Sequence, residues 1–257
     1  TVLYVETGAH RAGPWRRLRH WLRGPGGTLT PIEAHLRHLR DLAEPVGSTF
    51  DWRTTRARSA SDAILAEAAR GYDVILLGAP GSTELQDPSL GRILSRAPCH
   101  VVVVRGAPEP RDEPYRHILV PTDGSFFARA ALEFAVNLAE CSGGRVAVFT
   151  VLPESEPEQP AGPAAERRRI REVMRGAVLG PTLKPVTALA EAPVEVRIAR
   201  SDRPGEAIIL ETLSSDYDLI VLGAENKALA RPLFYGQGTQ YVFGHAPCDV
   251  AVVVPRL

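Results

Sequence analysis

Residues 118–125 read ILVPTDGS: an apolar run that stops on Pro-Thr-Asp-Gly-Ser, with a long helical pattern directly behind it. In open α/β sheets, ligands bind beyond the carboxyl ends of strands, where the strand order reverses. Asp123 falls just past the apolar run Ile118–Val120. A carboxylate there accepts hydrogen bonds from a ribose or an adenine amino group, and the N-terminus of the following helix suits a phosphate. Gly124 permits a tight turn, and Ser125 is placed to cap the helix. The plainer reading is that Asp123 and Ser125 do nothing but cap, and local chemistry alone favours it.

A second candidate is the loop LGAENKALARPLFYGQGTQYVFGHAPC, with Gly223, Gly236 and Gly238. Glycines at a strand end and a helix start let backbone N–H groups approach an anion; a crossover loop that needs glycine for its turns explains them as well. The chain has no Walker A sequence, and no GxGxxG follows a strand. It shows no Ser–His–Asp arrangement, HExxH or paired carboxylates in a motif, so no enzyme is expected. His35 and His38 share one face of a helical pattern, where a solvated face is expected and a metal is not. Cys99 and Cys248 each follow Ala-Pro and precede an apolar run, the setting of a buried structural thiol. Three widely spaced cysteines without a CxxC pair fit a reducing compartment.

The elements that must position these residues occur twice. YDVILLGA at 72–79 returns as YDLIVLGA at 217–224, and RAPCHVVVV at 96–104 as HAPCDVAVVV at 245–254, while TVLYVE at 1–6 resembles AVFTVL at 147–152. The three pairs keep the same order, as two copies of one unit would. Val74–Leu77, Val101–Val104, Leu219–Leu222 and Val250–Val254 are short continuous apolar runs, which suit strands buried on both faces of a parallel sheet. Helical patterns alternate with them at Pro31–Leu42, Ser61–Arg70, Phe127–Glu140, Ala164–Ala177 and Gly205–Leu213. In the third of these, Ala131, Leu132, Ala135, Leu138 and Ala139 recur at helical steps and predict one packed face. Each copy therefore reads as a doubly wound α/β unit. Residues 1–106 form a first unit without the opening strand and helix, its own ILVPTDGS included. Residues 107–115 form a Pro-rich linker, and residues 116–257 a complete second unit.

In order and spacing, ILVPTDGSFFARAALEFAVNLA, VAVFTVL, YDLIVLGA and GHAPCDVAVVV resemble the universal stress protein family. The resemblance covers 116–257 and, from the second strand onward, 1–106. It implies two adenine nucleotide α-hydrolase-like units packed as a pseudo-dimer through the last strands, Val101–Val104 and Val250–Val254. Members that bind ATP use an Asp after strand one and the pattern G-x2-G-x9-G-(S/T). Carried onto the second unit, ATP or AMP, with magnesium, would meet Pro121, Thr122, Asp123 and Ser125, then Val151, Leu222, Gly223, Gly236, Gln237, Gly238 and Thr239. The second unit departs from the pattern at two positions: Asn226 stands at its second glycine, and Gln237 replaces its hydroxyl residue, with Gly238-Thr239 just behind. In the first unit Gly78, Gly81 and Gly91 keep the spacing. Arg92 follows them, however, and counting back from APC puts Asp87 where the last glycine belongs. With no Asp123 counterpart either, the first unit is not expected to hold nucleotide.

The expected function is thus a tandem regulatory or sensor module in the cytoplasm. The resemblance leaves two alternatives. One is a cytosolic domain of a membrane transporter such as a cation antiporter or amino-acid permease, and the other is an adaptor that binds no nucleotide. An electron-transfer flavoprotein relative shares the architecture but fits the tandem copies less well. Arg11–Arg23, five arginines interleaved with Trp15 and Trp21 and without an acid, suits an anionic membrane surface or a mobile, solvated loop. Net charge is zero, which gives no reason to expect nucleic acid.

Overall fold

A computed structural model describes residues 1–7, 37, 40–41, 49–79, 88–107, 115–155, 194–225 and 237–256. They belong to two compact units, Thr1–Arg70 and Gly71–Leu257. In the first, strands β1 (Val2–Thr7) and β2 (Trp52–Ala57) pair in parallel, from Val2↔Trp52 to Thr7↔Ala57. Helix α1 (Ala60–Ala68) packs on both strands. Its N-cap, Ser59, accepts a hydrogen bond from the Asp62 amide at 3.4 Å, satisfying one of the donors a helix start leaves open.

The second unit runs β3 (Val74–Gly78), α2 (Pro88–Arg96), β4 (His100–Arg105), β5 (His117–Pro121), α3 (Phe126–Ser142), β6 (Arg145–Leu152), β7 (Val194–Arg200), α4 (Pro204–Ser214), β8 (Leu219–Gly223), α5 (Gln237–His245) and β9 (Asp249–Val254). Seven strands form one sheet in the order β3-β4-β9-β8-β5-β6-β7. Every neighbouring pair is parallel except β4 and β9, which run antiparallel from Val101↔Val254 to Arg105↔Val250. The fold class is therefore α/β with a mostly parallel sheet. The last strands of the two sequence copies meet at its one antiparallel seam.

That seam is flanked by matching contacts. Asp249, at the start of β9, accepts the amide of Ala107, two residues past β4, at 2.5 Å. His100, at the start of β4, accepts through Nδ1 the amide of Arg256, two residues past β9, at 3.0 Å. The buried Arg105 guanidinium crosses the seam to donate to the carbonyls of Ala246 at 2.9 Å and Cys248 at 3.1 Å.

Helix α3 shows why its sequence folds as it does. Ser125 caps it, Gly143 ends it at φ 65, and Ala128, Ala131, Leu132, Ala135, Val136 and Ala139 are buried. Small residues at successive turns let the helix axis approach the sheet closely. The packed face is rotated slightly from the expected one: Val136 is buried, whereas Leu138 is only partly so. Ala131, Leu132 and Ala135 share one core cluster with Ile118, Val120, Leu219, Val221, Ala251 and Val253.

The expectation that all four apolar runs are buried on both faces fails at one of them. In β3, Val74 and Leu76 are exposed, because this strand is the sheet edge and no described helix covers that face. Strands β2 and β7 and helices α2 and α5 are additions to the sequence reading. Of the expected helix at 31–42, only Arg37, Arg40 and Asp41 are described, and all three are helical. The expected helix at 164–177 and linker residues 108–114 lie outside the described residues.

Candidate functional site

In the second unit the chain passes from β5 to β6 and β7 on one side, then returns to β8 and β9 on the other. The strand order thus reverses between β5 and β8, whose pairing runs Ile118↔Leu219 and Leu119↔Ile220. Ligands of open α/β sheets bind at the carboxyl ends of such a pair. Here those ends carry Pro121–Asp123 and Gly223.

The turn after β5 is built by its own side chains. Thr122 Oγ1 accepts the Gly124 amide at 3.1 Å, and Asp123 Oδ1 accepts the Ser125 amide at 2.9 Å. Ser125 Oγ accepts the Ala128 amide at 3.2 Å, and Gly124 takes φ +77, a conformation side chains disfavour. Asp123 is exposed, while Thr122 and Ser125 are partly buried. Ser125 is thus a helix cap, and one Asp123 oxygen rigidifies the turn as the capping reading expects. The Asp123 carboxylate nonetheless stays at the surface beside the first turn of α3.

Gly223 serves packing. A Cβ built there would collide with the backbone of Phe127 and stand 2.6 Å from the amide nitrogen of Ala128. The first turn of α3 therefore rests on the end of β8, and only glycine admits it. At Gly238, in the first turn of α5, a Cβ would meet nothing within 4 Å, so that backbone is open to an approaching group. Leu222 is buried and Val151 partly buried, each near the carboxyl end of its strand. Gln237 opens α5 and Thr239 lies in its first turn. Gly236 and Asn226 are outside the described residues, as are Gly81 and Asp87 of the first sequence copy. Gly91 lies inside α2 and is buried, so the glycine spacing of the first sequence copy does not form a loop ending at a helix start.

Two buried polar residues anchor the site from below. The Asp218 carboxylate accepts the amides of Arg116 at 2.6 Å and His117 at 3.1 Å, holding the beginning of β5. His117 stacks on Tyr217 with ring centroids 4.1 Å apart. Burial pushes its imidazole below the usual range, and Arg145 acts in the same direction. Sequence reasoning overlooked Asp218; its signal was the repeated Tyr-Asp before the strand. Cys99 and Cys248 are buried, and burial pushes the Cys248 thiol up to about 12, far from a reactive thiolate. His35, His38 and Arg11–Arg23 lie outside the described residues. Among the described residues, no cluster of metal-binding side chains occurs, and no helix is long and apolar enough to cross a membrane.

A sequence model of the universal stress protein family matches residues 114–254, more than half of the chain. The chain belongs to that family. Solved structures agree at the level of fold. A putative universal stress protein from Pseudomonas aeruginosa UCBPP-PA14 is 17% identical, with a TM-score of 0.54 over 99% of this chain and 92% of its own. A universal stress protein from Archaeoglobus fulgidus DSM 4304 is 18% identical, with a TM-score of 0.52 over 88% of this chain and 83% of its own. No curated protein matches the chain significantly.

Proposed function

We propose that this chain is a tandem regulatory module that holds ATP or AMP, with magnesium, in its second sequence copy. It acts in the cytoplasm by binding and not by turnover. One observation carries the reading: an exposed Asp123 carboxylate stands past β5, at the strand-order reversal and beside the N-terminus of α3. In this reading Asp123 takes the ribose or adenine amino group, while Pro121, Thr122, Val151 and Leu222 border the base. Phosphates lie toward Gly236–Thr239, where the open backbone of Gly238 and the start of α5 favour negative charge. The residues described fit such a ligand, and magnesium would screen the phosphate charge. The first copy takes no nucleotide, since its Gly91 is buried within a helix instead of ending a loop at a helix start. The two copies act as a pseudo-dimer within one chain, a reading supported by the β4–β9 pairing, and covalent linkage raises the effective concentration of that contact.

The test is calorimetric titration with ATP and magnesium, repeated with AMP and on Asp123→Ala. Binding to the native chain that is lost in Asp123→Ala is the expected result. Absence of binding to the native chain overturns the reading and makes the protein an adaptor.

A further inference from the structure

Segments 72–79 and 217–224 share six of eight residues, and the two exchanges, Val74 for Leu219 and Leu76 for Val221, keep apolar character. Their surroundings differ. In the second segment, β5 pairs along β8, α3 lies over Leu219 and Val221, Asp218 holds the amides of Arg116 and His117, and the first turn of α3 closes on Gly223.

The first segment keeps each of these features uncovered. Strand β3 is the sheet edge. Val74 and Leu76 are 41% and 63% exposed, against 1% and 0% for Leu219 and Val221. Asp73, the counterpart of Asp218, is exposed. A Cβ on Gly78, the counterpart of Gly223, would meet nothing within 4 Å. An open edge with apolar side chains is a site for pairing with another chain.

We propose that β3 is a strand acceptor for a separate strand–turn–helix segment with the chemistry of His117–Ser142. The incoming strand runs parallel to β3, with its first amides on the Asp73 carboxylate. Its helix, bearing small apolar residues at successive turns, covers Val74 and Leu76 and sets its first turn on Gly78. The four features together select this occupant. A bare extended peptide adding to the edge leaves Val74 and Leu76 open, and a second copy pairing edge to edge gives Asp73 and Gly78 no role. Among the described residues the segment with this pattern, His117–Ser142, is already packed on β8.

The experiment adds a synthetic peptide of residues 115–144 to the full chain and follows amide hydrogen exchange across 74–78. The expected result is a one-to-one complex in which these amides slow by ~10-fold or more. The protection is absent in Leu76→Asp and in Gly78→Leu, both of which melt like the native chain because the altered positions are open. A companion measurement appends the same residues to the chain through a Gly/Ser linker and expects a higher melting temperature that Leu76→Asp removes. Unchanged exchange with excess peptide and an unchanged melting temperature in the fusion overturn the proposal. Protection that persists in both variants overturns it too. Exchange that slows with protein concentration in the absence of peptide assigns the face to a second copy instead and overturns it as well.

Discussion

Gly223 and Phe127 are fitted so closely that a single added methyl group at the glycine would occupy the phenylalanine's backbone. The contact joins the end of β8 to the start of α3, the two edges of the candidate crevice. Gly223→Ala must therefore push α3 off the sheet, and overpacking of this kind costs about 1–3 kcal/mol. The same change at Gly78, where the space is open, stays within about 0.5 kcal/mol, as surface substitutions do. Urea denaturation of the two variants, read as a difference in midpoint at constant slope, checks the contrast.

Ser125 separates stability from binding in the turn after β5. Ser125→Ala removes the acceptor for the Ala128 amide and costs about 1 kcal/mol, the usual effect of losing an N-cap. Asp123→Ala removes the acceptor for the Ser125 amide but, in the proposed function, chiefly abolishes the ligand. Paired denaturation and nucleotide titration should thus show the larger loss of affinity in Asp123→Ala. Equal effects of the two variants on both readouts would reduce Asp123 to a capping residue.

This turn was readable in advance because its determinants are local: a strand end, an Asx-type residue, a glycine and a capping serine in consecutive positions. Helix α3 was readable from its period, and β3, β4, β8 and β9 from their apolar runs. Strands β2 and β7 escaped because charged residues interrupt them, Arg53 and Arg56 in one and Glu195 and Arg197 in the other, so no continuous run announces them. The role of Gly223 was invisible for another reason. A glycine at a strand end is equally compatible with an anion or a helix, and only the tertiary position of Phe127 reveals the helix contact. Nor does any local pattern reveal that β3 and β4 share a sheet with β5–β9, since that follows from the β4–β9 seam.

Asp218 is buried beneath the start of β5 and accepts two backbone amides. Asp218→Ala strands the buried His117 amide and leaves the Arg116 amide without this acceptor, and an unsatisfied buried group costs about 1–3 kcal/mol. Asp73→Ala, at the exposed counterpart, is near neutral in the chain alone. Thermal melts of the two variants provide the comparison, and equal shifts would contradict the assigned role of Asp218.

Acid should weaken the second unit through its histidines. Burial pushes the imidazoles of His117 and His100 below their usual range, with Arg145 adding to the effect at His117 and Asp73 opposing it at His100. A depressed folded-state pKa means that the folded protein prefers the neutral ring. That stability is fully present above the unfolded value of about 6.5 and is lost as pH falls through it toward the folded values. At His117 the cause is visible, since Nε2 is buried without a hydrogen-bond partner. At His100, protonating Nδ1 removes the acceptor for the Arg256 amide. Stability measured from pH 7.5 to 5 should fall, and His117→Gln should flatten the slope. An unchanged slope in that variant would remove His117 from the account.

Asp249 ties down both ends of the connection between the two sequence copies. Its Oδ1 accepts the Ala107 amide at 2.5 Å and its Oδ2 the Tyr115 hydroxyl at 2.7 Å. Burial, followed by this hydrogen bond, raises the pKa of Tyr115, so the phenol stays protonated and keeps donating at any physiological pH. Residues 108–114 join these two anchors and contain Arg111, a trypsin site. Asp249→Ala releases both anchors, whereas Tyr115→Phe releases one and keeps the ring packed. Cleavage at Arg111 should accelerate in both variants, more in Asp249→Ala. Proteolysis of a locally opened segment tracks its opening free energy, and the loss of one hydrogen bond to a charged carboxylate, about 1.5–3 kcal/mol, corresponds to roughly tenfold or more. Arg105→Met, which removes the bonds to Ala246 and Cys248 across the seam, is the control for general loosening. If it accelerates cleavage as much as Asp249→Ala, the seam as a whole governs access to the connection and Asp249 has no special hold on it.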